Sequence, residues 1–158
     1  MKALAAVAAL LIAALWLRWW LQPERQIPRA QARLLSSVET RDFDALAGMI
    51  AGDYHDRWQQ NRATVVVRSR EVFVEFAMLT IVRDPRGLRE ESGRWLLAEK
   101  VTLKGIGGPL AMLARDAVNA LRAPFVMEWR RRSWKPWDWE LESIVQPELD
   151  LQGGRDGI

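Results

Sequence analysis

The hydrophobic period of this chain changes near residue 76 from about 3.6 to about 2, and that change restricts the fold more than any other feature. Upstream, Ala30, Leu34, Leu35 and Val38 fall on one helical face, and after "ETRD" a second set follows with Phe43, Leu46, Ala47 and Ile50. Asp42 is placed to cap that second segment and Gly52 to stop it. Val65, Val72, Phe73 and Phe76 recur at helical spacing from Arg62 onward and predict a third helix despite the β-branched "VVV". Downstream, "AMLTIVRD" reads as a first strand ended by a "DPRG" turn at Asp84 to Gly87. In "RWLLAEKVTLKG", Trp95, Leu97, Glu99, Val101 and Leu103 share one face, while Lys100, Thr102 and Lys104 share the other. "GIGGPL" ends this strand, and Pro109 to Leu121 reads as a short helix. A run of helices followed by a run of strands predicts an α+β domain, with three helices packed on a curved antiparallel sheet.

The same parity sorts "EWRRRSWKPWDWELESI" at 128–144. Met127, Trp129, Trp137, Trp139 and Leu141 fall on the core side of two strands joined at Trp134, Lys135 and Pro136. In that hairpin Arg132 opposes Asp138 and Arg130 opposes Glu140, and opposed charges fix the register. The same pairing sets Glu128 against Glu142, which predicts a slip at a bulge.

The N-terminus is different in kind. Ala3 to Leu17 is continuously apolar, and the run extends through Trp19, Trp20 and Leu21 if Arg18 turns its charged end to an interface. Trp16, Trp19 and Trp20 suit an interfacial aromatic belt. A retained anchor and a cleaved signal peptide compete here. Ala30-Gln31-Ala32, the small-x-small site downstream, stands too far from the apolar run for ordinary cleavage, which favours a single-pass transmembrane helix. The expected organisation is an anchor or uncleaved signal over 1–21, a polar linker over 22–29, a domain over 30–150 and a flexible tail over 151–158. Lys2 favours a domain outside the cytoplasm, whereas Arg18, Arg25, Arg29 and Arg33 favour the opposite; the Met-Lys start tips the expectation toward an extracytoplasmic, periplasmic domain.

Composition removes several chemistries. The chain has no cysteine and one histidine, His55, so disulfides, thiolate sites and a histidine-based metal site are not expected, nor is any cofactor. A net charge of +3 is a weak argument for nucleic acid, and strand parity splits Arg130 and Arg132 from Arg131 beside acidic neighbours, so no nucleic-acid partner is expected.

The stretch "ETRDFDALAGMIAGDYHDRW" and the closing pattern "WDWELESI" make residues 30 to 147 resemble the nuclear transport factor 2-like superfamily, also called cystatin-like or SnoaL-like. The resemblance implies a cone-shaped domain. Its members include isomerases, dehydratases and membrane-anchored scaffold components, and the enzymes among them place acid and base side chains inside the cone. None of their catalytic patterns matches positions here. The leading expectation is therefore a membrane-tethered, non-enzymatic domain for interaction or scaffolding in the cell envelope, attached through residues 3–21 and partnered by a second copy or another envelope protein. The alternative is a domain that binds or transforms a hydrophobic small molecule in the cone, with Glu99 as candidate base. Trp58, Phe73, Phe76, Trp95, Leu97, Glu99, Met127, Trp129 and Trp139 are the candidate lining of that cavity. Glu99 is expected either to pair with Arg131 or to sit at the rim, and "DYHD" at 53–56 is expected as a solvated loop.

Overall fold

The computed structural model describes residues 2–149; the expected tail and its boundary, 150–158, lie outside the described residues. The elements are α1 (Lys2–Trp20), α2 (Pro23–Glu39), α3 (Phe43–Met49), α4 (Arg62–Phe73), β1 (Phe76–Glu91), β2 (Arg94–Gly107), α5 (Pro109–Ala120), β3 (Phe125–Arg131) and β4 (Trp139–Val145). The four strands form one sheet in the order β1-β2-β3-β4, antiparallel throughout. The α+β expectation holds: among the described residues there are five helices, α1 at the N-terminus, three before the sheet, and α5 where Pro109 to Leu121 reads as a short helix.

Helix α1 exposes its apolar side chains, among them Leu10, Leu11, Ile12 and Leu15. Among the described residues no helix is long and apolar enough to cross a membrane, so the spanning anchor finds no support there.

The polar linker expected over 22–29 is instead the start of α2. Its prolines suggested a break, but Pro23 stands in the first helical turn, where a missing N–H costs nothing. Helix α2 then buries Ile27, Ala30, Gln31, Leu34 and Val38, a single stripe at helical spacing. Gln26 Nε2 donates to the Trp20 carbonyl at 2.7 Å, satisfying an acceptor that the end of α1 leaves open.

Asp42 caps α3 as expected, its carboxylate accepting from the Ala45 N–H at 2.9 Å. Helix α4, capped by Asn61, ends at Phe73, so Phe76 opens β1 rather than closing a helix. Arg41, in the left-handed region between α2 and α3, donates to the carbonyls of Phe73 and Phe76 and so pins the turn where helix gives way to strand.

Strand β1 also runs through "DPRG". That segment makes a register shift between Pro85 and Gly87, not a turn, and the chain reverses at Ser92-Gly93. Both of these residues have positive φ, 53° and 80°, as a two-residue hairpin of the favoured twist requires. At the other end, "GIG" stays within β2. Gly105 adopts φ 156°, and a β-carbon there would collide with the Met78 carbonyl of β1, so the strands approach too closely for a side chain.

The β3–β4 hairpin follows its expected register at Arg130↔Glu140, Arg131↔Trp139 and Trp129↔Leu141. It shifts between Trp129 and Glu128, so Glu128 faces Ser143 and the unfavourable contact with Glu142 is avoided. Arg132 reaches Asp138 at 2.7 Å. Beyond β4, the chain after α3 lies along the sheet edge: Ile50 bridges to Leu141, and the Ala51 N–H donates to the Leu141 carbonyl at 2.9 Å.

Candidate functional site

The inner face of the sheet, α2, α3, α4 and α5 line a partly open cavity of about 510 Å³. Its wall is largely aliphatic: Leu34, Leu35 and Val38 come from α2, Leu46 from α3, Val65 and Val72 from α4, and Val101, Leu103, Met127 and Leu141 from the sheet. A cavity of this size and lining suits a small apolar molecule. Helix α4, which forms one side, buries none of its residues fully, and exposed Arg68 and Glu71 stand there as one charge of each sign.

Of the residues expected to line the cone, Trp58, Phe73 and Met127 do so. Phe76, Trp95, Leu97, Glu99, Trp129 and Trp139 do not. Phe76, Leu97, Trp129 and Trp139 are buried core, and Trp95 packs half-buried against it. Along β2 the lining starts past Glu99, at Val101 and Leu103, while Trp95 and Leu97 belong to the filled end with Trp129. Trp129, Trp139 and Phe76 fill the core, and the hollow part is walled mainly by aliphatic residues together with Tyr54, Trp58, Phe73 and Phe125.

Glu99 is fully buried and occupied. Arg83 Nε stands 2.7 Å from one of its oxygens, and Gln31 Nε2 donates to the other at 3.1 Å. The expected pairing with Arg131 does not form. Arg131 lies over the Trp139 ring, 5.1 Å from its centroid, because the strand parity that points it inward ends at the hairpin mouth. Glu99 therefore stands behind Gln31, which itself lines the cavity. Arg83 stands in the expected first strand, directly before the "DPRG" segment read as its closing turn, and the sequence alone does not pair it with Glu99.

The segment "DYHD" divides. Asp53 and His55 face out, with Asp53 paired to Arg130 at 2.5 Å, while Tyr54 and Asp56 are buried and line the cavity. Tyr54 Oη donates to Asp56 at 3.2 Å, and the other oxygen of Asp56 accepts from the N–H groups of Trp58 and Gln60, each at 2.9 Å. Burial, and after it the Asp56 charge, pushes the Tyr54 phenol well above its usual range. The available sequence signal was the alternation within 53–56, where Tyr54 and Asp56 turn inward and Asp53 and His55 outward; the polar composition concealed it.

On the outer face, Arg130 also contacts Glu140 at 2.7 Å and Glu142 at 3.1 Å, while Arg94 meets Glu142 and Glu128. Among the described residues no group of three or more His, Cys, Asp or Glu side chains is arranged to hold a metal ion.

No protein-family model and no curated protein matches the chain. Solved structures do. A nuclear transport factor 2-like protein from Cytophaga hutchinsonii superposes with a TM-score of 0.55 at 11% identity, covering 78% of this chain and 95% of that one. A Nostoc punctiforme protein of unknown function with a cystatin-like fold gives 0.55 at 14%, covering 81% and 94%. A Streptomyces avermitilis protein, described as a candidate dehydratase of the nuclear transport factor 2-like family, gives 0.54 at 16%, covering 76% and 91%. At such identities the likeness speaks for architecture and not for chemistry. The chain has a nuclear transport factor 2-like, cystatin-like α+β fold.

Proposed function

We propose that the domain binds a small, predominantly apolar molecule in its cavity without transforming it. The observation that carries this reading is the cavity itself, about 510 Å³ with a largely aliphatic wall to which Trp58, Phe73 and Phe125 add aromatic surface. Binding is favoured over catalysis because the buried carboxylates nearest the wall are already engaged. Glu99 is held by Arg83 and Gln31, and Asp56 accepts three hydrogen bonds, so neither is free to take a proton from a substrate. The test is titration with a fluorescent apolar probe. Binding by the native chain, and at least tenfold weaker binding by Val72→Trp, which fills the space, is the expected result; probe affinity unchanged by the substitution would refute it.

A second reading concerns attachment. Helix α1 has no polar face, and its leucines and isoleucine are exposed among the described residues, which favours tethering to a membrane; the Met-Lys start favours a domain outside the cytoplasm. Co-flotation of the full chain with lipid vesicles, lost when residues 2–21 are removed, is the expected outcome. Equal flotation of both chains would contradict it.

A further inference from the structure

Gln31 lies in the cavity wall, is fully inaccessible to solvent, and has a carbonyl oxygen, Oε1, with no hydrogen-bond partner among the described residues. Its amide cannot turn over without cost. Nε2 donates to Glu99 at 3.1 Å, and a flipped amide would set its oxygen against that carboxylate. Glu99 is in turn fixed by Arg83, which also donates to the Pro28 carbonyl at 3.4 Å, one turn before Gln31 on the same helix. The acceptor is thus held just beneath the aliphatic wall, where a donor reaches it once the side chains over it part, and a buried acceptor left unpaired costs free energy that a matching donor would restore.

We infer that the cavity selects a neutral apolar molecule carrying a hydroxyl or N–H group, which donates to Oε1 of Gln31. This rests on the proposal that the cavity binds an apolar ligand and names its chemical class. A carboxylate is disfavoured at this position because it would meet an acceptor oxygen backed by Glu99, whose neutralising partner Arg83 is already used, with Asp56 also in the wall. Exposed Arg68 stands in the wall with Glu71, three residues on along the same helix, so the charged rim carries both signs.

The test compares two isomers, 1-octanol and heptyl methyl ether, as competitors of the apolar probe on the full chain, with octanoate as a third. They share formula and bulk, but only the alcohol donates. The expected result is that 1-octanol binds about tenfold more tightly than the ether and the octanoate, and that Gln31→Met removes this advantage while leaving ether affinity unchanged. The comparison on the native chain stands by itself should Gln31→Met fold poorly. Equal binding of alcohol and ether overturns this inference while leaving cavity binding intact, as does octanoate binding as tightly as the alcohol. Failure of the probe and of both isomers to bind overturns the cavity reading with it.

Discussion

Arg83 Nε lies 2.7 Å from Glu99 Oε1, joining a guanidinium whose side chain is 24% exposed to a carboxylate that is wholly buried. The contact crosses from β1 to β2, and through Gln31 and the Pro28 carbonyl it ties both strands to α2. It holds the sheet to the helix that supplies one wall of the cavity.

Breaking that pair from one side should be costly. Arg83→Met leaves Glu99 charged and buried with only an amide donor, a loss of about 3 kcal/mol in unfolding free energy by urea denaturation. Replacing both partners in Arg83→Met/Glu99→Leu removes the stranded charge and should recover most of the loss. A double variant as unstable as the single one would mean that the pair's geometry, not its buried charge, is what matters.

Tyr54 is the only tyrosine, so tyrosinate absorbance reports on it alone. Burial and Asp56 raise its folded value above the usual value of 10.0, so the folded chain keeps the proton after the unfolded chain has released it. Its contribution to stability is fully present below about pH 10 and falls as pH rises above that. The expected titration shows tyrosinate appearing only with unfolding, and Tyr54→Phe should flatten the alkaline decline relative to the native chain. Tyrosinate forming near pH 10 in the folded protein would contradict the buried contact with Asp56.

At the hairpin, Ser133 donates to Asp138 at 2.6 Å, and this bond, reinforced by Arg132, holds the Asp138 carboxyl below the usual carboxylate range. A depressed folded value contributes stability that is present above about pH 4 and lost as pH falls through the folded value. The stability gap between the native chain and Asp138→Asn should therefore close on acidification. A gap constant between neutral and strongly acid solution would assign the loss to the backbone of the turn.

Gly105 gives a steric prediction. A β-carbon there meets the Met78 backbone, which cannot swing aside as a side chain could, and φ is 156°. Gly105→Ala should cost about 1–3 kcal/mol, whereas Gly48→Ala, with open space and helical backbone, should be neutral or slightly stabilising. Equal effects at the two positions would show that β1 and β2 do not approach as closely as described.

Strand parity was enough to place Glu99 on the inner face and Arg130 opposite Glu140, because a period of two leaves little freedom once one face is apolar. Glu99's partners were not legible, since Gln31 lies 68 positions away and Arg83 belongs to a strand whose proline and glycine read as its end. Pro23 misled for a related reason: a proline in the first turn of a helix and one in a link look alike along the chain. The cavity's lining was legible only in part, at Trp58, Phe73 and Met127. A residue that fills a core and one that surrounds a hollow have the same spacing, as Trp129 and Met127 do on β3, the first buried in the core and the second in the cavity wall. Tyr54 and Asp56 were hidden by their polar neighbours, although the edge pairing of Ile50 with Leu141 sends them inward.

Methyl NMR of the full chain titrated with 1-octanol tests ligand binding most directly. Saturable shifts at Leu34, Met127 and Leu141, three residues of the cavity wall carried by different elements, are the predicted result. Shifts confined to exposed Met78 and Leu113, or no saturable shift at any methyl, would contradict the account.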